Sequence, residues 1–209
     1  MKNQHHQVYD TIIFDLGAVL IDWNPRYLYN KFFATEAEAA HFLQHVCTAD
    51  WNEEQDAGRS LQEGTELLIT QHPEYEAAIR AFYGRWKEML AGEISASVEI
   101  LRTLKNSGRY KLYALTNWSN ETFPLALVEF PFLQWFDGLV VSGREKQRKP
   151  YHSFYQLLLD RYQVNPDTAV FVDDNLRNVK AAEECGISSI HYLHPDQLKD
   201  ELAKKNILS

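Results

Sequence analysis

The run Thr11-Ile12-Ile13-Phe14 passes directly into Asp15, with Leu16-Gly17 behind it. No polar residue alternates with the apolar ones, so the segment reads as a strand buried on both faces, the kind a parallel sheet covered by helices requires. Open sheets of this class bind ligands at the carboxyl ends of their strands, which is where Asp15 falls. Taken alone, Asp15 has a second reading, as the cap of a following helix.

The rest of the chain supplies the sheet. Val98, Leu101 and Leu104 mark a helix closed by Gly108, and residues 111–115 then read as a strand. Strands are predicted at 138–142, 169–172 and 188–193, with helices at 152–162 and 175–185 between them. This alternation specifies an α/β fold, a Rossmann-like doubly wound parallel sheet with right-handed crossovers. Residues 22–93 interrupt it with helical periodicity and read as an inserted α-helical cap domain, leaving 1–21 and 94–209 as the Rossmann-like core. In the insert, Tyr75, Ile79, Phe82, Trp86 and Met89 recur at spacings of four and three, which predicts one helix with all five on one face. A second helix starts at Ser60, with Glu63 three residues on in a capping-box pattern.

Composition narrows the partners. A formal charge of -8 over 209 residues argues against a nucleic-acid or anionic-membrane surface and favours a small diffusible ligand. Cys47 and Cys185 form no CxxC pair, so both read as reduced thiols, with no disulfide framework or zinc cluster. No apolar stretch is long enough for a signal peptide or membrane span, which predicts a cytoplasmic protein. His5 and His6 read as terminal surface residues, and the oligomeric state is left open.

Four strand ends carry chemistry: Asp15, then Thr116-Asn117, then Lys149 shortly after the 138–142 strand, then Asp173-Asp174. Converging carboxylates make a hard-oxygen site suited to magnesium, which needs only one or two protein carboxylates beside its waters and a substrate phosphate. Thr116 and Asn117 offer a hydroxyl and an amide to phosphoryl oxygens, and Lys149 supplies the positive charge. A carboxylate so placed can act as a nucleophile. Arg144, Lys146 and Arg148 read as solvated loop charges, with Arg144 or Arg148 also able to help draw an anion in, and Trp51, Glu53, Glu54 and Asp56 as insert residues able to reach the crevice.

The ordered set resembles the haloacid dehalogenase superfamily over nearly the whole chain, with Phe14-Asp15-Leu16-Gly17-Ala18-Val19-Leu20 similar to its phosphatase branch. The resemblance implies a magnesium-dependent hydrolase of small phosphate monoesters such as sugar phosphates, working through an aspartyl-phosphate. It implies Asp15 as nucleophile and magnesium ligand, the Gly17 carbonyl as a second ligand, and Asp174 as the acidic ligand, with Asp173 behind it or alternating with it. It also implies Thr116, Asn117 and Lys149 as the phosphoryl-binding set. One departure stands out: the superfamily's phosphatases carry a general acid-base Asp two residues after the nucleophile, and this chain has Gly17 there. Losing such a group costs about 10² to 10⁴ in rate, so Asp22 is the expected substitute, its other reading being a cap for a helix beginning near Pro25. Competing readings are a metal-independent haloacid dehalogenase, which the acid pair disfavours, a phospho-receiver, whose motif order differs, and a degenerate phosphate-binding module.

Overall fold

The computed structural model describes residues 8–208, so His5 and His6 lie outside the described residues. The strands are β1 (Thr11–Phe14), β2 (Ile21–Trp23), β3 (Leu90–Glu93), β4 (Lys111–Thr116), β5 (Gly138–Val141), β6 (Ala169–Asp173) and β7 (Ser188–His191). Five of them form one parallel sheet in the order β5-β4-β1-β6-β7, which puts β1, and therefore Asp15, at its centre.

Strand pleating divides the residues between two cores. Ile12, Phe14, Leu112, Ala114, Val170 and Val172 enter one cluster, while Ile13, Tyr113, Leu115 and Phe171 enter the other. Helices cover both faces, as the unbroken apolar strands require. The helices before the second half of the sheet are α1 (Arg26–Phe32), α2 (Glu36–His45), α3 (Ala49–Asp56), α4 (Leu61–Gln71), α5 (Glu76–Gly84) and α6 (Ser95–Ser107). Those after it are α7 (Phe123–Glu129), the single turn α8 (Ser142–Glu145), α9 (His152–Tyr162), α10 (Leu176–Glu184) and α11 (Pro195–Lys204). Leu101 and Leu104 of α6 and Leu198 and Leu202 of α11 pack on one face of the sheet, and Phe154 and Leu158 of α9 and Ala181 and Ala182 of α10 on the other.

The local signals behave as their chemistry demands. Gly108 closes α6 at φ 62, and the Ser60 hydroxyl accepts the Glu63 N–H at the start of α4. The helix expected through Tyr75 and Met89 is instead broken into a 3-10 turn (Pro73–Tyr75), α5, and a second 3-10 turn (Trp86–Met89). Pro73 starts the first turn and Gly84 ends α5, two residues that interrupt a regular helix. Ile79, Phe82, Trp86 and Met89 are nonetheless buried, and Tyr75 packs against them.

The chain enters and leaves the α1 to α5 segment through a short antiparallel ribbon. In it β2 pairs with β3, placing Asp22 opposite Gly92 and Trp23 opposite Leu90, with a bulge between Asp22 and Trp23. Inside the segment Tyr29 is fully buried among Phe33, Phe42 and Phe82, and its hydroxyl donates to the Ala78 carbonyl at 3.0 Å. Among the described residues no helix is long and apolar enough to cross a membrane.

Candidate active site

Asp15 follows the central strand and continues its ladder, its N–H donating to the Val172 carbonyl at 2.8 Å. One of its carboxylate oxygens accepts from the Leu16 N–H at 2.7 Å and lies 2.9 Å from the Lys149 ammonium. Lys149 is fully buried, and its other contact is Asp173 at 2.7 Å. Asp173, also fully buried, further accepts from the Asn175 N–H at 2.8 Å and from the Asn178 amide at 3.1 Å. Its acceptor capacity is taken up by protein donors. Asp174 is exposed to the cleft, and its carbonyl rather than its carboxylate meets the His191 ring.

Carboxylate oxygens of Asp15, Asp173 and Asp174 lie within 4.8 Å of one another. Three acids thus face a single ammonium. Burial pushes the Asp15 carboxyl up, Lys149 pulls it back, and Asp173 and Asp174 push again, leaving it at about 7. Burial also raises Asp174, with Asp173 adding to it. Burial opposes the charge on Lys149, yet Asp15 and Asp173 hold it above the ordinary lysine range. The set is one positive charge short at the least, and hard oxygens at this separation suit a divalent cation such as magnesium.

The phosphoryl-binding expectations divide. The Thr116 hydroxyl is buried at the end of β4 without a hydrogen-bond partner, a free donor next to the strand that carries Asp15. Asn117 is otherwise engaged. Its amide donates to the Lys149 carbonyl at 3.0 Å and its oxygen accepts the Lys149 N–H at 2.9 Å. Asn117 therefore fixes the main chain of Lys149, where an amide reaching a phosphoryl oxygen was expected.

Gly17 borders the cleft, and a Cβ added there would meet nothing within 4 Å. The expected substitute acid does not fill this space. Asp22 sits in β2, both its oxygens accept the exposed Tyr27 hydroxyl at 3.0 Å, and it is absent from the cleft wall. Nor does it cap α1, since Asn24 accepts the Arg26 N–H. The ribbon pairing sends Trp23 to the cleft instead.

The cleft encloses about 340 Å³ between the sheet and the α1 to α5 segment. Its sheet side presents Asp15, Gly17, Asn117, Lys149 and Asp174, and its other side Trp23, Pro25, Leu43, Cys47, Asn52, Glu53, Asp56 and Phe82. Two acids of α3 therefore reach the cleft, whereas Trp51 points away, donating to the Gly64 carbonyl at 3.0 Å. Sequence reasoning missed the ion pairs of Arg148. It is nearly buried and pairs with Glu53 and with Glu54 at 3.3 Å, while Arg177 of α10 takes the second Glu53 oxygen. The one available signal was its place beside Lys149.

A profile of the haloacid dehalogenase-like hydrolases matches residues 9–186. The chain belongs to this family. Within it, the hydrolase is 28% identical over 181 residues to the sesquiterpene phosphatase astK of Aspergillus oryzae, a match covering 86% of this chain and 87% of that one. It is 27% identical over 189 residues to a phosphorylated carbohydrates phosphatase of Thermotoga maritima, covering 87% and 84%. It also matches drimenol cyclase drtB of Aspergillus calidoustus, but spans only 35% of that protein's length. A family enzyme of Bacteroides thetaiotaomicron, solved with magnesium and inorganic phosphate, shares the fold at a TM-score of 0.68 and 20% identity, covering 89% of this hydrolase and 95% of that chain.

Proposed function

We propose that this hydrolase is a magnesium-dependent phosphatase of small phosphate monoesters that works through an aspartyl-phosphate on Asp15. The observation that carries the reading is the Asp15-Lys149-Asp173 bridge with Asp174 inside 4.8 Å, a site with too many carboxylates for one ammonium. A metal-independent dehalogenase would leave the Asp173-Asp174 pair uncompensated beside the nucleophile, which it would repel. Magnesium held by Asp15, Asp174 and the Gly17 carbonyl would neutralise phosphoryl charge.

This chain's residues would divide the work as follows. The free Asp15 oxygen attacks phosphorus, and Lys149 balances the charge that accumulates on the phosphoryl oxygens. Thr116 donates to one of those oxygens. Asp173 anchors Lys149, which leaves Asp174 as the acid open to the cation. Residues 22–93 serve as the cap, placing Trp23, Leu43, Cys47 and Phe82 against the leaving group. Those four apolar side chains, with the sesquiterpene phosphatase among the relatives, support organic phosphates with a hydrocarbon body alongside the sugar phosphates expected from the sequence.

The test is phosphate release from prenyl and sugar monophosphates with magnesium, with EDTA, and with Asp15→Asn. Turnover that needs magnesium and disappears in the variant is the expected result. Turnover that survives EDTA or the substitution would remove the proposal.

A further inference from the structure

We infer that Asp56, carried by α3, is the acid-base residue of this site, protonating the leaving oxygen and then activating water in place of the acid missing at Gly17. The inference rests on the phosphatase reading. Asp56 borders the main cleft and also a side recess of about 80 Å³, and both spaces are shared with Gly17, Trp23, Asn52 and Asn117. It thus faces the opening that the missing side chain at Gly17 leaves.

Elimination among the cleft acids points the same way. Asp15 and Asp174 belong to the nucleophile and cation set, and Glu53 is taken by Arg148 and Arg177. Among the described residues, Asp56 is the remaining cleft acid, and its hydrogen-bonding partners are neutral. The Asn52 amide donates to one oxygen at 3.0 Å and the Ser119 N–H also reaches the carboxylate. Its carbonyl accepts from the Ser142 hydroxyl at 2.5 Å, so the end of α3 is fixed to the loops that follow β4 and β5.

The charged surroundings suit a group that gives and takes a proton. Burial raises the Asp56 carboxyl, Glu53 of the same helix adds to it, and Arg148 opposes, leaving it at about 7. Tyr83 faces it from α5. On the other packed elements Glu66 of α4 pairs with Arg80, Arg144 of α8 lies over the Phe123 ring and Glu145 pairs with Arg161, while Glu63 stands in the first turn of α4 and Arg59, just past α3, donates to Gln55. Across the cleft stand Asp15, Lys149 and Asp174.

The steps balance. As the Asp15 oxygen bonds to phosphorus, the bond from phosphorus to the leaving oxygen breaks and that oxygen takes the Asp56 proton, releasing an alcohol. The Asp56 carboxylate then removes a proton from water as the water oxygen bonds to phosphorus and the bond from phosphorus to the Asp15 oxygen breaks. Inorganic phosphate leaves, and both carboxyl groups return to their starting states.

The experiment compares wild type and Asp56→Asn on p-nitrophenyl phosphate and on an alkyl phosphate, with rapid mixing and with circular dichroism as the check on folding. Asparagine keeps the shape and one acceptor oxygen but cannot exchange a proton. The expected result for the variant is a burst of one p-nitrophenol per enzyme at near wild-type rate, followed by turnover slowed about 10² to 10⁴-fold, with no burst from the alkyl ester. Adding Gly17→Asp to the variant should restore part of the turnover. Equal losses for both esters in the burst, or no loss, would overturn the assignment while leaving the phosphatase reading intact. Absence of phosphate release by the wild type would end both. If Asp56→Asn does not fold, Asp56→Glu decides: a changed pH profile of kcat/KM supports the role, and an unchanged one refutes it.

Discussion

Lys149 shows how tightly charge and fold are joined at single residues. An ammonium wholly out of water persists because Asp15 and Asp173 accept from it at 2.9 and 2.7 Å. Removing one partner of a buried pair leaves the other charge uncompensated, at about 3 to 5 kcal/mol. Lys149→Met is therefore expected to lose about that much stability in urea unfolding and nearly all turnover; a loss under 1 kcal/mol would show that the carboxylates do not depend on it. Asp15, Asp173 and Asp174 were legible because each stands at or just beyond the end of a buried strand, and strand ends converge in a parallel sheet, whereas Lys149 joins them from the loop between α8 and α9. Asp22 was misread because chain proximity to Asp15 says nothing about which way a side chain leaves a short, bulged ribbon. The side-chain bonds of Asn117 were not legible because their partner, the Lys149 main chain, lies 32 residues away.

At the scale of elements, α3 fastens the α1 to α5 segment to the sheet. Glu53 takes Arg148 from one loop and Arg177 from α10, Ser142 reaches the Asp56 carbonyl, and Glu121 accepts the Leu61 N–H at 2.8 Å. Glu53→Gln removes the two ion pairs and keeps the shape. The expected outcome is amide exchange in α3 faster by about fivefold, equivalent to about 1 kcal/mol for partly exposed pairs, with little change in β1. Uniform exchange in the variant would show that the pairs do not fasten the helix. Gly143 in α8 is a second point of contact: a Cβ there would overlap the Asn120 main-chain nitrogen, which cannot swing aside as a side chain can. Gly143→Ala should cost about 1 to 3 kcal/mol, read in the same unfolding assay. The sequence showed these elements unevenly. Strands of four to six apolar residues and capped helices were readable, but β2 and β3 were too short to carry a period. The stripe from Tyr75 to Met89 kept its spacing through two breaks because burial, which the spacing reports, does not require one unbroken helix.

For the whole molecule the site is a liability that a cation relieves. Asp15 and Asp56 both stand at about 7 in the folded chain against 3.8 as the ordinary aspartate value, so between those limits the native state binds more protons than the unfolded one. Stability then falls as pH rises, because the slope follows the protons bound by the unfolded state minus those bound by the native state. In EDTA this contribution is fully present near pH 4 and is lost as pH passes 7. Magnesium binds the ionised carboxylates and must displace protons to do so, so its stabilisation runs the other way. Thermal unfolding should show a larger magnesium-induced rise in Tm at pH 8 than at pH 5.5. A rise that is equal at both, or larger at the acidic pH, would mean that the cation is not held by the Asp15 and Asp174 carboxylates, and the excess acid at the strand ends would need another partner.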